Sequence, residues 1–449
     1  MTAEAASDGW AAFTRRGVTL WLPASVNLGI ASLLAPAMNA LLARAVDPEA
    51  SIAGFSVALG VITIVALPQF RIQQLTLVFL HDHHALRSLR RFVAITAAVV
   101  GAISCVAALT PLAELILEGI FAATGDLLTQ ARAALVALCP LPIFMVARTH
   151  LHGAALRLGQ ARLVWLGTGL GAGGAVAISA ALIATGIQGA AAAGVGTTLA
   201  AGLETVMLMA ATRNLLRHGL PAHSPRGLDS SLGAVARFFT PLIFASLLPA
   251  ATTPIVNAAL ARTAEPETSL AAFAIAIGLF QFLTILLWGA QPSILALLAR
   301  GDGMRRITVL TNGVAGVVLI AAMASAFVPP LSQLVIEDIS GARDRLGELS
   351  LLGLRVLAPL PLILVQEQVF ASALMQVRRT RPILYVNVWR LAALLVFVVL
   401  ALGLEGLPGV AVGAGAWAAS LIVEAIATYA YGRGAYRQLT TAEALTFGR

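Results

Sequence analysis

Lysine is absent from this chain of 449 residues, cysteine occurs twice, and charged residues of both signs make up only 11% of it. Beside 59% apolar residues and a mean hydropathy of +0.89, that scarcity of charge excludes a soluble globular chain. Cys105 and Cys139 both fall inside apolar runs. They supply neither a disulfide framework nor a metal-ligand set and are read as buried thiols that need no function. Neither the runs nor the loops carry a paired Asp-rich motif for Mg-diphosphate or a His-Asp acyl-transfer box, so a membrane-embedded transferase is disfavoured and no enzyme is expected. Motifs for nucleic-acid binding are missing too, and the net charge of +8 needs another origin.

What fills the chain instead is hydrocarbon-compatible sequence. Twelve apolar runs, at about 17–44, 51–80, 92–117, 132–155, 163–186, 190–212, 235–261, 268–299, 307–334, 350–377, 383–404 and 408–432, are each long enough to cross about 30 Å of bilayer as a helix. The fold class expected is an all-α polytopic membrane protein. All 29 basic residues are arginine, and twenty of them gather at the N-terminus, the loops after even-numbered spans and the C-terminal tail. The positive-inside rule therefore places both termini in the cytoplasm of a plasma (inner) membrane protein, and the net charge is this topological signal itself. The first sixteen residues are too short and mixed in charge for a cleavable leader, so the first span is expected to direct insertion. The His81-Asp82-His83-His84 run lies on a cytoplasmic loop without an opposing ligand set and is a weak metal candidate; no cofactor is expected beyond Na+ or H+ as a coupling ion.

The chain also says much the same thing twice. Asn39–Gly60 recurs as Asn257–Gly278 at an offset of 218, with twelve of twenty-two positions identical. Pro140-Leu141-Pro142 returns as Pro359-Leu360-Pro361 at 219, and the segments opening at Gly186 and Gly406 align at 220, with Glu204 on Glu424. The organisation expected is an N-terminal six-helix lobe at 1–212, a cytoplasmic linker at 213–233 and a C-terminal six-helix lobe at 234–449, an internal duplication that points first to a transporter. Two prolines two residues apart should bend spans 4 and 10 alike.

A charge in mid-bilayer costs at least roughly 2.5–3.5 kcal/mol, so each buried one needs a reason. Three carboxylates lie well inside spans, Glu204, Glu367 and Glu424, and two arginines, Arg71 and Arg148, with His150 and His152 beside the latter. All five charges sit about 12–15 Å from the cytoplasmic ends at 1.5 Å per residue, a shared layer that calls for a water-filled cavity or internal pairing. Glu204 and Glu424 fit either a coupling role or structural pairing with buried arginines. Arg148 and His152, four apart, share a helix face; His150 points elsewhere. Candidate solute-binding residues are Arg71, Arg148, His150, Gln73, Gln291, Asn39 and Asn257; candidate ion-coupling residues are Glu367, Glu424 and Glu204.

Local strings carry a resemblance. These are Phe238–Leu242 (Phe-Phe-Thr-Pro-Leu), Pro254-Ile255-Val256-Asn257, Phe70-Arg71 with Leu77-Val78-Phe79, Thr149-His150, and Leu354-Arg355 through Pro359-Leu360-Pro361 to Leu374-Met375 and Arg378-Arg379-Thr380. With a 6+6 repeat they resemble the MATE-type (multidrug/oligosaccharide/polysaccharide) transporter superfamily and, within it, the progressive ankylosis family of pyrophosphate and organic-anion exporters. The resemblance implies efflux by alternating access, two lobes rocking about a central cavity, and a small anionic or zwitterionic solute as the partner. A cation-coupled multidrug antiporter and a lipid-linked saccharide flippase are the alternatives, and a monomer is expected. One departure bears on this: the animal pattern carries arginine where this chain has Glu367, and Glu-x-Arg near Gln291.

The arginine distribution generates a direct test of topology. In a cysteine-free variant, a cysteine placed at Asp338 should react with an impermeant maleimide from outside intact cells, and one at His223 should not; the reverse pattern would invert the orientation.

Overall fold

The computed structural model describes residues 9–121, 123–187, 189–222, 229–404 and 406–447, and among these every regular element is a helix. Among the described residues nine helices are long and apolar enough to cross a membrane, eleven when two bent pairs count as one span each, and Trp10–Leu42, at 33 residues, is a further long helix where the first crossing was expected. The expected linker is helical at both ends. Span 6 runs on to His218 and span 7 begins at Leu232, while 223–228, including His223, lie outside the described residues.

Contacts divide the chain into two compact units, Val26–Phe239 and Met1–Ser25 with Thr240–Arg449, so the backbone changes unit inside spans 1 and 7. Each unit has a core of its own. In the first, Phe55, Ile62, Leu135 and Leu138 pack together; in the second, Phe273, Phe280, Leu354 and Leu357 do. Lipid tails are as apolar as leucine, so close backbone approach rather than hydrophobicity must hold such helices to one another. Span 6, Gly189–His218, accordingly buries Ala190, Ala192, Ala193, Ala200 and Ala201.

The duplicated sequence produces duplicated local structure. Pro48 and Pro266 open spans 2 and 8 at the first helical position, where a missing N–H costs nothing, and Ser51 and Ser269 donate their amides to Asp47 and Glu265. Gly186 and Gly406 both turn with positive φ, +87° and +83°, before spans 6 and 12. The Pro-Leu-Pro pairs bend their spans as the sequence requires. Gly125–Leu138 meets Leu141–Arg157 at 44°, and Asp344–Leu357 meets Pro361–Gln376 at 42°.

Span 8 departs from the uninterrupted run expected of it. It breaks into Pro266–Leu283, Ile285–Trp288 and Ala290–Arg300. Pro292 has no amide to continue the helical ladder back to Trp288, and within the interrupted stretch the carbonyl of Leu286 accepts from Trp21 Nε1 (2.6 Å) and Ser25 Oγ (2.8 Å) of span 1. The Asp82 of the histidine-rich loop serves as a helix cap, accepting from the Ala85 amide at 2.7 Å at the start of His83–Leu109.

The two cysteines, distant in sequence, meet. Cys105 of span 3 and Cys139 at the bend of span 4 place their sulfurs 3.9 Å apart. Treatment with copper–phenanthroline should therefore consume both thiols without producing a dimer band on a non-reducing gel. Two thiols still titratable after oxidation would mean that spans 3 and 4 do not pack this way.

Candidate functional site

A carboxylate can be placed in an apolar helix bundle only if the bundle makes room for it and neutralises it. In the Val26–Phe239 unit, span 5 makes the room. Gly171 faces span 6 so closely that a Cβ there would stand 2.5 Å from Glu204 Oε2, and one at Gly167, a turn earlier, would stand 3.5 Å from Oε1. Into that space span 6 projects Glu204, whose side chain is 0% exposed.

Span 4 supplies the neutralisation. Arg148 Nη1 donates to Glu204 Oε2 at 2.8 Å, and His152 Nε2, four residues on, meets Oε1 at 3.2 Å. Thr168 of span 5 donates to the same Oε1 at 3.3 Å and also hydrogen-bonds Asn27 of span 1. One carboxylate thus ties spans 4, 5 and 6 together and reaches span 1 through Thr168. The Arg148 side chain stays 26% exposed, so part of its donor fork faces away from the pair.

His150 goes elsewhere, as its position on the helix demands. It is buried, and its Nδ1 lies 2.9 Å from Thr76 Oγ1 of span 2. Thr76 gives its own hydrogen to the Ile72 carbonyl, so the Nδ1–H of His150 is the donor, leaving a buried Nε2 with no hydrogen-bond partner. On span 2, half-buried Arg71 donates to Gln74 at 3.2 Å, and Gln73 is half-buried beside it. Asn39 lies exposed near the end of span 1.

The second unit carries a related cluster. Glu424 of span 12, 7% exposed, accepts from Arg390 Nη1 of span 11 at 2.9 Å. At the offset of 219 that relates the Pro-Leu-Pro pairs, Gly171 falls on Arg390 and Arg148 on Glu367. The carboxylates of the two repeats are therefore equivalent, but their counter-charge has moved from span 4 in one repeat to span 11, the mate of span 5, in the other. Near it in sequence, span 10 presents three polar residues in a row. Gln368 Oε1 caps the backbone amide of Gln291 at 3.0 Å where span 8 restarts, Gln366 hydrogen-bonds Asn312 of span 9, and half-buried Glu367 stands between them. Asn257 is exposed on the last segment of span 7.

The sequence places Arg148 and Glu204 at one depth and His152 on the face of Arg148, and the three are in contact. Arg390, inside span 11 and nine residues past Arg381, is not among the in-span charges that the sequence singled out. Also missed were Asn27, Thr168 and Asn312, since single neutral polar residues in apolar runs give no signal. Arg355, the remaining in-span arginine, donates Nε to the Ala326 carbonyl and lies over the Phe327 ring.

The geometry predicts a large asymmetry between single and double substitutions. Arg148→Leu leaves a buried carboxylate facing only His152 and Thr168 and should lower stability by ~3 kcal/mol, whereas Arg148→Leu with Glu204→Leu should recover most of that. Thermal unfolding in detergent reads the difference. Equal melting temperatures for the single and double variants would show that Arg148 does not neutralise Glu204.

No family model matches the chain, and no curated protein matches its sequence. Solved structures do. A MATE transporter of Vibrio cholerae in a bent form is 15% identical, covering 96% of this chain and 99% of that one at a TM-score of 0.77. A multidrug resistance MATE family transporter of the MOP superfamily, in an outward-facing conformation, is 16% identical over 95% and 96% at 0.73. A MOP superfamily transporter of Pyrococcus furiosus, whose binding pocket is described as reversed in polarity in a way that suggests a different function, is 16% identical over 95% and 96% at 0.71. At such identities the likeness is one of fold, and it extends over nearly the whole length. The chain has the twelve-helix, two-lobe membrane fold of the MATE-type transporters.

Proposed function

We propose that this protein is a secondary active exporter that moves a small anionic or zwitterionic solute by alternating access, in exchange for a proton or sodium ion. The observation that carries the reading is the Arg148–Glu204 pair, in which a fully buried carboxylate holds a guanidinium that is still partly open. A proton or cation arriving at Glu204 competes with Arg148 for the carboxylate. Releasing Arg148 frees a bidentate donor for an anionic group on the solute. Ion binding and solute binding would then be linked through one side chain, which is what coupling requires.

Arg71, Gln73 and His150 on the neighbouring faces of spans 2 and 4 are proposed to complete the solute contacts, with Gln291, Asn39 and Asn257 as further contributors. Glu367 and Glu424 are proposed as the coupling carboxylates of the other unit, Glu424 through its arginine as Glu204 through Arg148. The likeness of fold to exporters supports outward transport, the arginine-rich loops support cytoplasmic termini, and the strings shared with the progressive ankylosis family support an organic anion as solute. A second reading, antiport of cationic drugs, is favoured by Glu367 standing where the ankylosis pattern has arginine and by the multidrug transporter among the structures of like fold.

Proteoliposomes separate the readings. Glu204→Gln keeps the shape and removes the titratable charge, so it should retain binding of an organic-anion substrate while losing accumulation driven by a pH or sodium gradient. Arg148→Gln should lose anion binding itself. Uptake by Glu204→Gln that still follows the imposed gradient would remove that residue from coupling. Accumulation of tetraphenylphosphonium abolished by Glu367→Gln, with no organic-anion exchange, would establish the drug-antiport reading instead.

A further inference from the structure

The two oxygens of Glu204 are held in different ways. Oε1 takes His152 Nε2 of span 4 at 3.2 Å and the Thr168 hydroxyl of span 5 at 3.3 Å, and Thr168 is tied in turn to Asn27. Both donors are on short, buried side chains. Oε2 takes Arg148 Nη1 alone, at 2.8 Å, and among the described residues Glu204 is the one hydrogen-bond partner of Arg148. The carboxylate therefore keeps its anchorage through Oε1 when the group on Oε2 is exchanged. That group ends a long, flexible stem, and its residue is the open member of the pair, 26% exposed against 0% for Glu204.

The charge balance of the pair restricts what can enter it. The charges acting on Glu204 are those of Arg148 and His152. A plain anion drawn onto Arg148 takes the guanidinium from Glu204 and leaves the buried carboxylate without it. A plain cation drawn onto Glu204 strands the guanidinium in the same way. Removing one member of a buried ion pair costs far more than exchanging partners with both charges still matched. A solute carrying an ammonium and a carboxylate keeps both matched. The ammonium takes the place of Nη1 on Oε2, and Arg148 receives the carboxylate in its bidentate fork. Since Arg148 and Glu204 are in direct contact, the two inserted charges have to be close neighbours.

The room at Oε2 sets the kind of ammonium. A Cβ on Gly171 would stand 2.5 Å from that oxygen, so span 5 already lies against it. A primary ammonium brings three N–H donors and little more bulk than Nη1. A trimethylated nitrogen brings methyl groups and no donor, and does not fit.

We infer that the solute is a zwitterion with a primary ammonium one carbon away from its carboxylate, an α-amino acid or a molecule of that charge layout, bound between Glu204 Oε2 and Arg148. The inference rests on the exporter reading of this same pair and narrows it. A proton on Oε2 removes the partner of the ammonium, so proton and solute exclude each other at Glu204, which is what exchange demands.

Equilibrium binding to the purified full chain in detergent, with no gradient imposed, tests the solute class apart from coupling. The probes are L-alanine, L-serine and L-leucine, each beside its 2-hydroxy acid, which lacks the ammonium, and its amide, which lacks the carboxylate, together with glycine betaine. At least one amino acid should bind about a hundredfold or more tighter than both of its singly charged counterparts, and glycine betaine should not bind. Glu204→Gln should turn the preference toward the hydroxy acid and Arg148→Gln toward the amide. Such ratios, taken within one variant, do not depend on how much of it is folded. Absence of binding by all three amino acids, or preferences unchanged in both variants, would overturn the assignment. A hydroxy acid that binds the wild type as well as its amino acid would also overturn it, leaving an exporter of plain organic anions. An amide that binds equally well would overturn it in favour of a cation site.

Discussion

A carboxylate with no access to solvent dictates much of the unit in which it lies. Glu204 cannot remain ionised among alanines and leucines unless donors surround it, and those donors must come from other helices, because its own backbone N–H groups are committed to span 6. Arg148 and His152 fix the rotation of span 4, and Thr168 fixes that of span 5. Gly171 fixes how closely span 5 approaches, since even a methyl group there would collide with the carboxylate. In a medium where hydrophobic burial gives little preference for one helix packing over another, such a polar knot selects the arrangement.

The two repeats solve that problem differently. Glu204 and Glu424 are equivalent by sequence and both buried, yet one draws its guanidinium from span 4 and the other from span 11. Duplication kept the acid and let the counter-charge migrate. The migration has consequences at the vacated positions: a glycine where Arg390 has its mate, and a glutamate where Arg148 has its own. The repeats therefore share a scaffold while offering opposite charge at span 4 and span 10.

The broken span shows the same economy of backbone hydrogen bonds. Interrupting a transmembrane helix frees carbonyls and amides that lipid cannot satisfy. Here Trp21 and Ser25 take up the Leu286 carbonyl and Gln368 takes up the Gln291 amide. Gln368 on span 10, which resembles part of a generic polar lining, has in fact a backbone amide to complete.

Much of this was legible in the chain because the bilayer is a severe solvent. Apolar run length fixes the number of crossings, and two prolines two residues apart remove successive rungs of the helical ladder, which is why the Pro-Leu-Pro pairs gave their bends from sequence alone. Gly186 and Gly406, where the repeated segments open, take up the positive φ of the turns before spans 6 and 12. Partnership was beyond the sequence. That Arg148 should reach Glu204 while Arg390 reaches Glu424, that Cys105 should meet Cys139, and that Asn27 should join a site through Thr168 all depend on which faces of distant helices coincide. Hydrophobic periodicity is nearly silent inside a membrane, where lipid-facing and protein-facing sides are both apolar. The crossings, their bends and the duplication were set residue by residue along the chain; the pairing of its buried charges was decided only when the helices packed.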